Sequence, residues 1–222
     1  MTEIDALETL LARRHSCRAF RPDAVPEDIV ERIVRAAGRV PSWCNAQPWH
    51  ATVTRQAETD RLRDALYSRA AAGGDPPDIP FPAAYRGVYR DRRATCGWAL
   101  YGALGIERGD RAARDRQMQE NFRLFGAPHL ALITTEADLG AYGALDCGAF
   151  VTAFALAAEA LGVASIPQAA LALHSAFLRD WFGLSASRQV VCGISFGYGD
   201  PNHPANGFRT DRAALDDILD WR

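Results

Sequence analysis

The stretch from Ala144 to Leu161 constrains the fold most strongly, because it is apolar on nearly every side. Its buried-type residues are Phe150, Ala153, Phe154, Ala157, Ala158 and Leu161. A helix without a polar face must be covered on several sides. The pattern therefore predicts a helix that either crosses the core of one subunit or lies between two subunits.

The rest of the chain alternates between helical and extended patterns. Ile4, Leu7 and Leu11 recur at helical spacing within a first helix predicted from Thr2 to Arg13. Further helices are predicted from about Glu27 to Gly38 and over Glu58–Ala72, Ala83–Leu104, Gln117–Phe125, Leu171–Phe182 and Ala213–Trp221, the one over Glu58–Ala72 being exposed. Strands are predicted at Trp49–Val53, His129–Thr134, Gly162–Ile166 and Arg188–Tyr198, with a turn at Pro167–Ala170 and a Gly/Pro loop over Ala70–Pro82.

Composition narrows the class of protein. The 222 residues, 48% of them apolar, can bury a sizeable core, and we expect a single domain over residues 1–222. A net charge of −2 argues against electrostatic binding to nucleic acid or to an anionic membrane. Five widely spaced cysteines, an N-terminus without a signal pattern and no apolar run near membrane-spanning length predict a reduced, cytoplasmic protein.

A basic segment, R-H-S-C-R-A-F from Arg14 to Phe20, follows the first predicted helix. If it is extended, alternation places Arg14, Ser16 and Arg18 on one side. Two guanidinium groups and a hydroxyl there suit a phosphate monoester. An ordinary basic turn with a helix-capping serine explains the same residues, so other parts of the chain must decide.

A loop rich in proline and tryptophan, P-S-W-C-N-A-Q-P-W, runs from Pro41 to Trp49. Ser42, Asn45 and Gln47 can form hydrogen bonds to the edge of a flat heteroaromatic ligand, and an indole offers a packing surface. The alternative is a loop capped by its own serine and asparagine, with both tryptophans in the core.

Two other arginine-rich regions bear on function. Arginines alternate with aromatic residues from Tyr85 to Tyr101, and Arg86–Arg93 forms either a solvated helix face or the rim of a pocket for an acidic small molecule. The closing segment, G-Y-G-D-P-N-H-P-A-N-G-F-R-T-D-R, carries Arg209 and Arg212, which could join the basic segment.

Taken in order, these motifs resemble the nitroreductase family of FMN-dependent oxidoreductases. The resemblance rests on R-H-S-C-R-A-F, P-S-W-C-N-A-Q-P-W, L-G-V-A-S-I-P-Q at Leu161–Gln168, and G-Y-G-D-P with N-G-F-R-T-D-R near the end. It spans essentially the whole chain. The F-R-T-x-R pattern is most similar to that of nitrobenzoate-reductase-like members.

This resemblance implies an α+β fold, an α/β/α sandwich around a mostly antiparallel sheet, in an intertwined homodimer with two FMN sites at the subunit interface. Arg14, His15, Ser16 and Arg18 would hold the phosphate and ribityl side of FMN, helped by Arg209 or Arg212. Pro41, Ser42, Asn45 and Gln47 would reach the flavin from the partner. The turn with Pro167, Gln168 and Ala169 would lie against the isoalloxazine, a backbone N–H near Ala169 facing its redox-active nitrogen.

The implied reaction is ping-pong reduction of nitroaromatics, quinones or similar small electron-poor acceptors by NADH or NADPH. Because FMN supplies the hydride chemistry, no catalytic side chain is assigned, and no metal site is expected. Dehalogenation, alkene reduction, substrate oxidation, flavin fragmentation and a non-catalytic redox sensor are the alternatives. Cys17 and Cys44 lie near the implied flavin, where small-residue packing is favoured over a reactive thiol.

Overall fold

The centre of the molecule is a four-stranded antiparallel sheet. The computed structural model describes residues 2–222, and in this range the strands are β1 (His50–Val53), β2 (His129–Glu136), β3 (Ala164–Gln168) and β4 (Arg188–Gly197). Their order across the sheet is β1-β2-β4-β3, and every neighbouring pair is antiparallel. The expected mostly antiparallel sheet is confirmed.

Seven α-helices in residues 2–222 surround or extend from the sheet. They are α1 (Glu3–Arg13), α2 (Glu27–Ala37), α3 (Gln56–Ala71), α4 (Gly87–Ala103), α5 (Arg111–Gln119), α6 (Gly140–Ala160) and α7 (Ser175–Phe182). Local sequence explains where several of these helices begin or end. Thr2 and Asp5 form a reciprocal capping box on α1, acidic Glu27 and Asp28 begin α2, and Gly183 ends α7 in a left-handed conformation.

Strand β2 shows how the sheet divides the core into two layers. Ala131 and Ile133 pack on one face with residues of α2 and α6, among them Ile33, Phe150 and Phe154. Leu130 and Leu132 point to the other face, where residues of α3 and α7 pack, among them Leu62, Leu66 and Leu178. This period of two buries both faces and produces the predicted α/β/α sandwich.

Helix α6 is the apolar helix anticipated from the sequence. It packs against α2, β2 and β3, yet Tyr142 and Leu145 on its first turns are 58% and 68% exposed. By length and composition alone, the segment Ala137–Ala160 could span a membrane, since its most apolar 18-residue window has a mean hydropathy of 1.5; this corrects the expectation that no run approaches that length. A core helix passes the same test, but packing against α2, β2 and β3 accounts for only part of the composition of α6, since 39% of its most apolar 18-residue window is buried.

The basic segment runs along the outer edge of β3. Ser16 forms a parallel bridge to Ser165, and the Cys17 N–H donates to the Ser165 carbonyl at 3.1 Å. A second bridge joins Phe20 to Gly199, just beyond β4. The N-terminal segment is thereby held beside β3 and beside the start of the C-terminal segment.

Several predicted boundaries are wrong. Strand β3 continues through Pro167 and Gln168, where a turn was expected, because an edge strand tolerates a proline. Helix α5 occupies Arg111–Gln119, ahead of the predicted Gln117–Phe125, and only a short 3-10 turn follows at Leu124–Gly126.

Three further helices differ from expectation. α3 is not simply exposed, because Leu62 and Leu66 are fully buried. The predicted helix at Leu171–Phe182 divides into a 3-10 helix at Ala169–His174 followed by α7. Of the helix predicted over Ala213–Trp221, only the 3-10 turn Leu215–Asp217 forms.

Candidate functional site

A basic cleft of about 220 Å³ forms where the two ends of the chain meet. The basic segment contributes one wall, the closing segment another, and Cys96 of α4 lies between them. The predicted phosphate-binding residues that line it are Arg14, His15, Ser16, Arg18, Arg209 and Arg212. The structure thus brings both C-terminal arginines to the N-terminal cluster.

Alternation along the basic segment holds only in part. Arg14, Ser16 and Arg18 line the cleft and Cys17 is 1% exposed in the core, but the intervening His15 lines the cleft as well. Burial raises the pKa of the Cys17 thiol to about 11, so this cysteine packs as an inert small residue.

The positive charge of the cleft is not neutralised within the described chain. Among residues 2–222, no carboxylate oxygen lies within the 4.0 Å ion-pair distance of the four cleft arginines, although eleven other ion pairs form. The neighbouring Arg13 points elsewhere, to Glu159 at 2.5 Å. Burial and the charge of Arg209 lower the pKa of His15. Several cations facing one concave surface favour an anionic ligand.

Asn206 holds the two ends of the chain together, a role that sequence reasoning missed. Its side-chain oxygen accepts the Arg18 N–H at 2.7 Å, and its amide donates to the carbonyls of Ala19 and Asp200. The Asn206 carbonyl in turn accepts a bond from Arg209 at 2.9 Å. Asn-Gly at positions 206–207 was a turn signal, but its partner Arg18 lies 188 residues away along the chain.

Arg18 connects the basic cleft to a second cleft of about 240 Å³. One wall of the second cleft is the end of β3, with Ile166, Pro167, Gln168 and Ala169. The opposite wall comes from α4, α5 and the segment after α5, with Tyr101, Gln117, Met118, Asn121 and Phe125. The predicted ring-facing residues therefore lie next to the predicted phosphate-binding residues.

Gln168 and Ala169 differ in their exposure at this wall of the cleft. Ala169 is exposed at the cleft. Gln168 is 3% exposed, and its side-chain amide is bonded on one side to Ser195 and on the other to Asn121. Gly193 pairs with Gln168 across the sheet and leaves room for Leu171 of the following 3-10 helix, because a Cβ at position 193 would lie 2.3 Å from the Leu171 side chain.

The Pro41–Trp49 loop lies apart from both clefts. Pro41, Asn45 and Gln47 are exposed and Ser42 is half-buried, and none of the four lines either cleft. Ser42 Oγ accepts the Gln47 N–H at 2.9 Å, and Gln47 donates to the Asn45 carbonyl at 3.2 Å. Cys44, Asn45 and Gln47 all adopt positive φ angles near 50°, a conformation that costs energy for non-glycine residues.

This loop is anchored to α6. The buried Asp146 accepts the Trp43 N–H at 3.0 Å, and the Trp43 ring packs on Tyr142 with centroids 5.1 Å apart. Trp43 is nevertheless 64% exposed. Trp49, in contrast, stacks on Phe150 in the core. The two tryptophans of the loop therefore have different roles, one in packing and one at the surface.

Part of the Arg86–Arg93 region reaches a cleft. Arg92 of α4 lines a cleft of about 610 Å³ that also contains Cys96, Arg209 and Arg212, and it forms an ion pair with Asp217 at 3.5 Å. A further cleft of about 460 Å³ between α2 and β1 contains none of the predicted site residues. The carboxylates of Glu27 and Glu31 on its wall make it unfavourable for a phosphate.

Fold and clefts together define an α/β/α protein with a basic anion site joined to a flatter ligand site at the end of an edge strand. The model of the nitroreductase family matches residues 11–198, most of the chain. The chain therefore belongs to the nitroreductase family.

Individual relatives agree with this assignment. Nitroreductase NfnB of Mycolicibacterium smegmatis is 39% identical over 95% of this chain and 90% of its own length. A 4-nitrobenzoate reductase of Pseudomonas putida is 32% identical over 94% of this chain and 92% of its own length. The crystal structure of FMN-dependent NfnB from Mycobacterium smegmatis in complex with NADPH superposes with a TM-score of 0.93, at 37% identity and complete coverage of both chains.

Proposed function

We propose that this protein is an FMN-dependent oxidoreductase that uses NAD(P)H to reduce nitroaromatic compounds and similar electron-poor acceptors. The observation that carries this proposal is the basic cleft, which holds four arginines without carboxylate partners in residues 2–222. One of them, Arg18, also lines the cleft at Ala169. Two solved relatives with TM-scores of 0.93 support it: one is an FMN-dependent nitroreductase in complex with NADPH, and the other is an FMN- and NADPH-dependent nitroreductase.

The residues of the basic cleft fit the phosphate end of FMN. A phosphate monoester carries nearly two negative charges near neutral pH and accepts several hydrogen bonds. Arg14, Arg18 and Ser16 supply donors from one end of the chain, and Arg209 and Arg212 supply them from the other. Because both C-terminal arginines line the cleft, we propose that both contact the phosphate.

The adjoining cleft fits the ring system. FMN, when bound, supplies the hydride chemistry of the reaction. The chain orients it: Arg18 bridges the two clefts, Pro167 and Ala169 form one wall, and Phe125 and Met118 provide apolar surface on the other. We assign no side chain as proton donor, and water is the proposed source of protons.

We further infer that the protein is a homodimer. Trp43, Tyr142 and Leu145 form an exposed apolar patch at the start of α6, here called the α6 patch, and α1 contains no buried residue although Ile4, Leu7 and Leu11 are apolar. Surfaces of this kind mark interfaces. A second copy is the proposed occupant, because a two-fold contact through the α6 patch would carry the Pro41–Trp49 loop towards the partner.

This arrangement gives the loop a role that it lacks within one subunit. Ser42, Asn45 and Gln47 line neither FMN cleft of their own subunit, so we propose that they, with Pro41, contact FMN in the partner. We also propose a cytoplasmic setting, supported by five cysteines that all remain free thiols.

Arg92, Arg209 and Arg212 line a cleft that adjoins the phosphate site and also holds the carboxylates of Asp91, Asp211 and Asp217. We propose that the arginines of this cleft favour acidic acceptors such as nitrobenzoate, with Arg92 exchanging its ion pair to Asp217 for the acceptor. The 4-nitrobenzoate reductase of P. putida is a relative with such a substrate in its name. This acceptor class is a proposal for the present chain.

Steady-state kinetics test the proposed reaction. NADPH oxidation is measured against several fixed concentrations of 4-nitrobenzoate, and parallel lines in a double-reciprocal plot are expected, because donor and acceptor use the same site in turn. Nitrobenzene, which lacks the carboxylate of 4-nitrobenzoate, is assayed in parallel to test whether Arg92 recognises the charge of the acceptor. Consumption of NADPH that does not depend on any nitro compound would contradict the proposal.

A further inference from the structure

The second cleft, between the end of β3 and the wall formed by α4 and α5, is here called the ring cleft. The buried side chain of Gln168 connects its two walls. Its Oε1 accepts a hydrogen bond from Ser195 Oγ at 2.5 Å, and its Nε2 donates to the Asn121 carbonyl at 2.9 Å and to Asn121 Oδ1 at 3.3 Å. Ser195 is fully buried on β4. A buried amide satisfied at both ends fixes the groups that it joins, since breaking either bond leaves a polar group without a partner.

Asn121 ties this contact to the opposite wall. Its own amide donates to the Met118 carbonyl at 3.0 Å, at the end of α5. The chain then passes through Leu124 and Phe125, which adopt positive φ angles of 56° and 51°. Bulky residues keep that conformation only where their surroundings enforce it. Met118, Asn121 and Phe125 all line the ring cleft, so Gln168 fixes the distance between its two walls.

The position of Gln168 in the chain gives this network a functional consequence. The peptide group that follows Gln168 carries the N–H of exposed Ala169. With the Gln168 side chain held on both sides, that peptide has little freedom to rotate. Functional groups need such support, because errors of about 1 Å in their placement weaken their effect.

We propose that Asn121, Gln168 and Ser195 form a positioning network that holds the Ala169 N–H towards the redox-active ring of FMN and so sets the balance between its oxidised and reduced forms. This inference rests on the proposed function. Oxidised flavin accepts a hydrogen bond at the ring nitrogen, whereas reduced flavin carries a hydrogen there. A well-aligned N–H therefore stabilises the oxidised form more, and disturbing the network favours reduced FMN.

The test compares Gln168→Met and Ser195→Ala with the control Gln189→Met. Methionine matches the length of glutamine and lacks both hydrogen-bonding ends, whereas alanine at position 195 removes only the hydroxyl. Gln189 lies on the same strand as Ser195, outside the ring cleft. For each holoprotein, the ratio of reduced to oxidised FMN is measured spectroscopically at a fixed potential set by a reference dye, together with the dissociation constant of oxidised FMN.

We expect Gln168→Met to raise the ratio of reduced to oxidised FMN about tenfold, which is about 30 mV for a two-electron couple. Ser195→Ala should move the ratio in the same direction by less, and Gln189→Met should leave it within about twofold of wild type. If Gln168→Met does not fold, Ser195→Ala carries the test.

Two other results have distinct meanings. Network variants that bind FMN and match Gln189→Met in this ratio would overturn the positioning role, even if their affinity or thermal stability falls. Wild-type protein that binds no FMN would instead refute the proposed function.

Discussion

Replacement of Arg14 by glutamine isolates the contribution of the basic cleft to FMN binding. Arg14 lines the cleft, and among residues 2–222 its side chain forms no hydrogen bond or ion pair, so its replacement breaks no polar interaction within the chain. A hydrogen bond to a charged group contributes about 1.5–3 kcal/mol. At about 1.4 kcal/mol for each factor of ten, Arg14→Gln should weaken FMN binding about 10- to 150-fold.

Riboflavin provides the decisive comparison, because it is FMN without the phosphate. Binding of both ligands is measured by quenching of flavin fluorescence, for wild type, Arg14→Gln and Arg13→Gln. Arg13 is the matched control, since it is adjacent in sequence but is bound to Glu159 at 2.5 Å and does not line the cleft. The Arg14 variant should lose affinity for FMN only, and the Arg13 variant should retain it.

An equal loss of affinity for FMN and riboflavin would refute the reasoning, because the effect would then not depend on the phosphate. Salt gives a second check. The difference in FMN affinity between wild type and Arg14→Gln should become smaller as ionic strength rises, since salt screens charges in an open cleft over about 10 Å at 0.1 M.

Three further predictions concern the dimer, the loop and stability. Leu145→Glu places a charge in the α6 patch, so sedimentation should show a monomer that no longer retains FMN; a dimer with full FMN content would contradict the proposed interface. Asp146→Ala removes the acceptor for the Trp43 N–H and should weaken FMN binding about tenfold, whereas Asp146→Asn, which keeps an oxygen there, should have a smaller effect; equal effects would argue against loop anchoring. Burial lowers the pKa of His174, so this histidine binds a proton more readily in the unfolded apoprotein than in the folded one. The unfolding free energy of the apoprotein should therefore fall as pH drops below about 6.5, by at most about 1.4 kcal/mol per pH unit for this histidine. Urea titrations of His174→Leu should show a shallower decline.

Patterns local in sequence predicted much of the architecture. The placement of Arg14, Ser16 and Arg18 in the cleft and of Cys17 in the core was readable because an extended segment has a period of two, although His15 departs from that period by lining the cleft as well. The unusual composition of α6 likewise indicated burial on several sides. Both the sandwich and the convergence of the basic residues followed from such local signals combined with the family resemblance.

Contacts between distant residues were not predictable in the same way. Asn206, Asp146 and Asn121 act through partners 188, 103 and 47 residues away, and no spacing within the chain marks such pairs. Helix α5 was misplaced because its charged sequence has no apolar periodicity. Its one local signal was Asp110, which caps it by accepting the Ala113 N–H at 2.8 Å.

The visible absorption spectrum of the purified protein tests the central claim most directly. One cuvette is followed under anaerobic conditions, first alone, then with NADPH or NADH, and then with 4-nitrobenzoate. The account predicts a yellow protein whose flavin absorption bleaches with the nicotinamide donor and returns with the nitro compound. A colourless protein that takes up no FMN, or a bound flavin that NAD(P)H does not reduce, would contradict it.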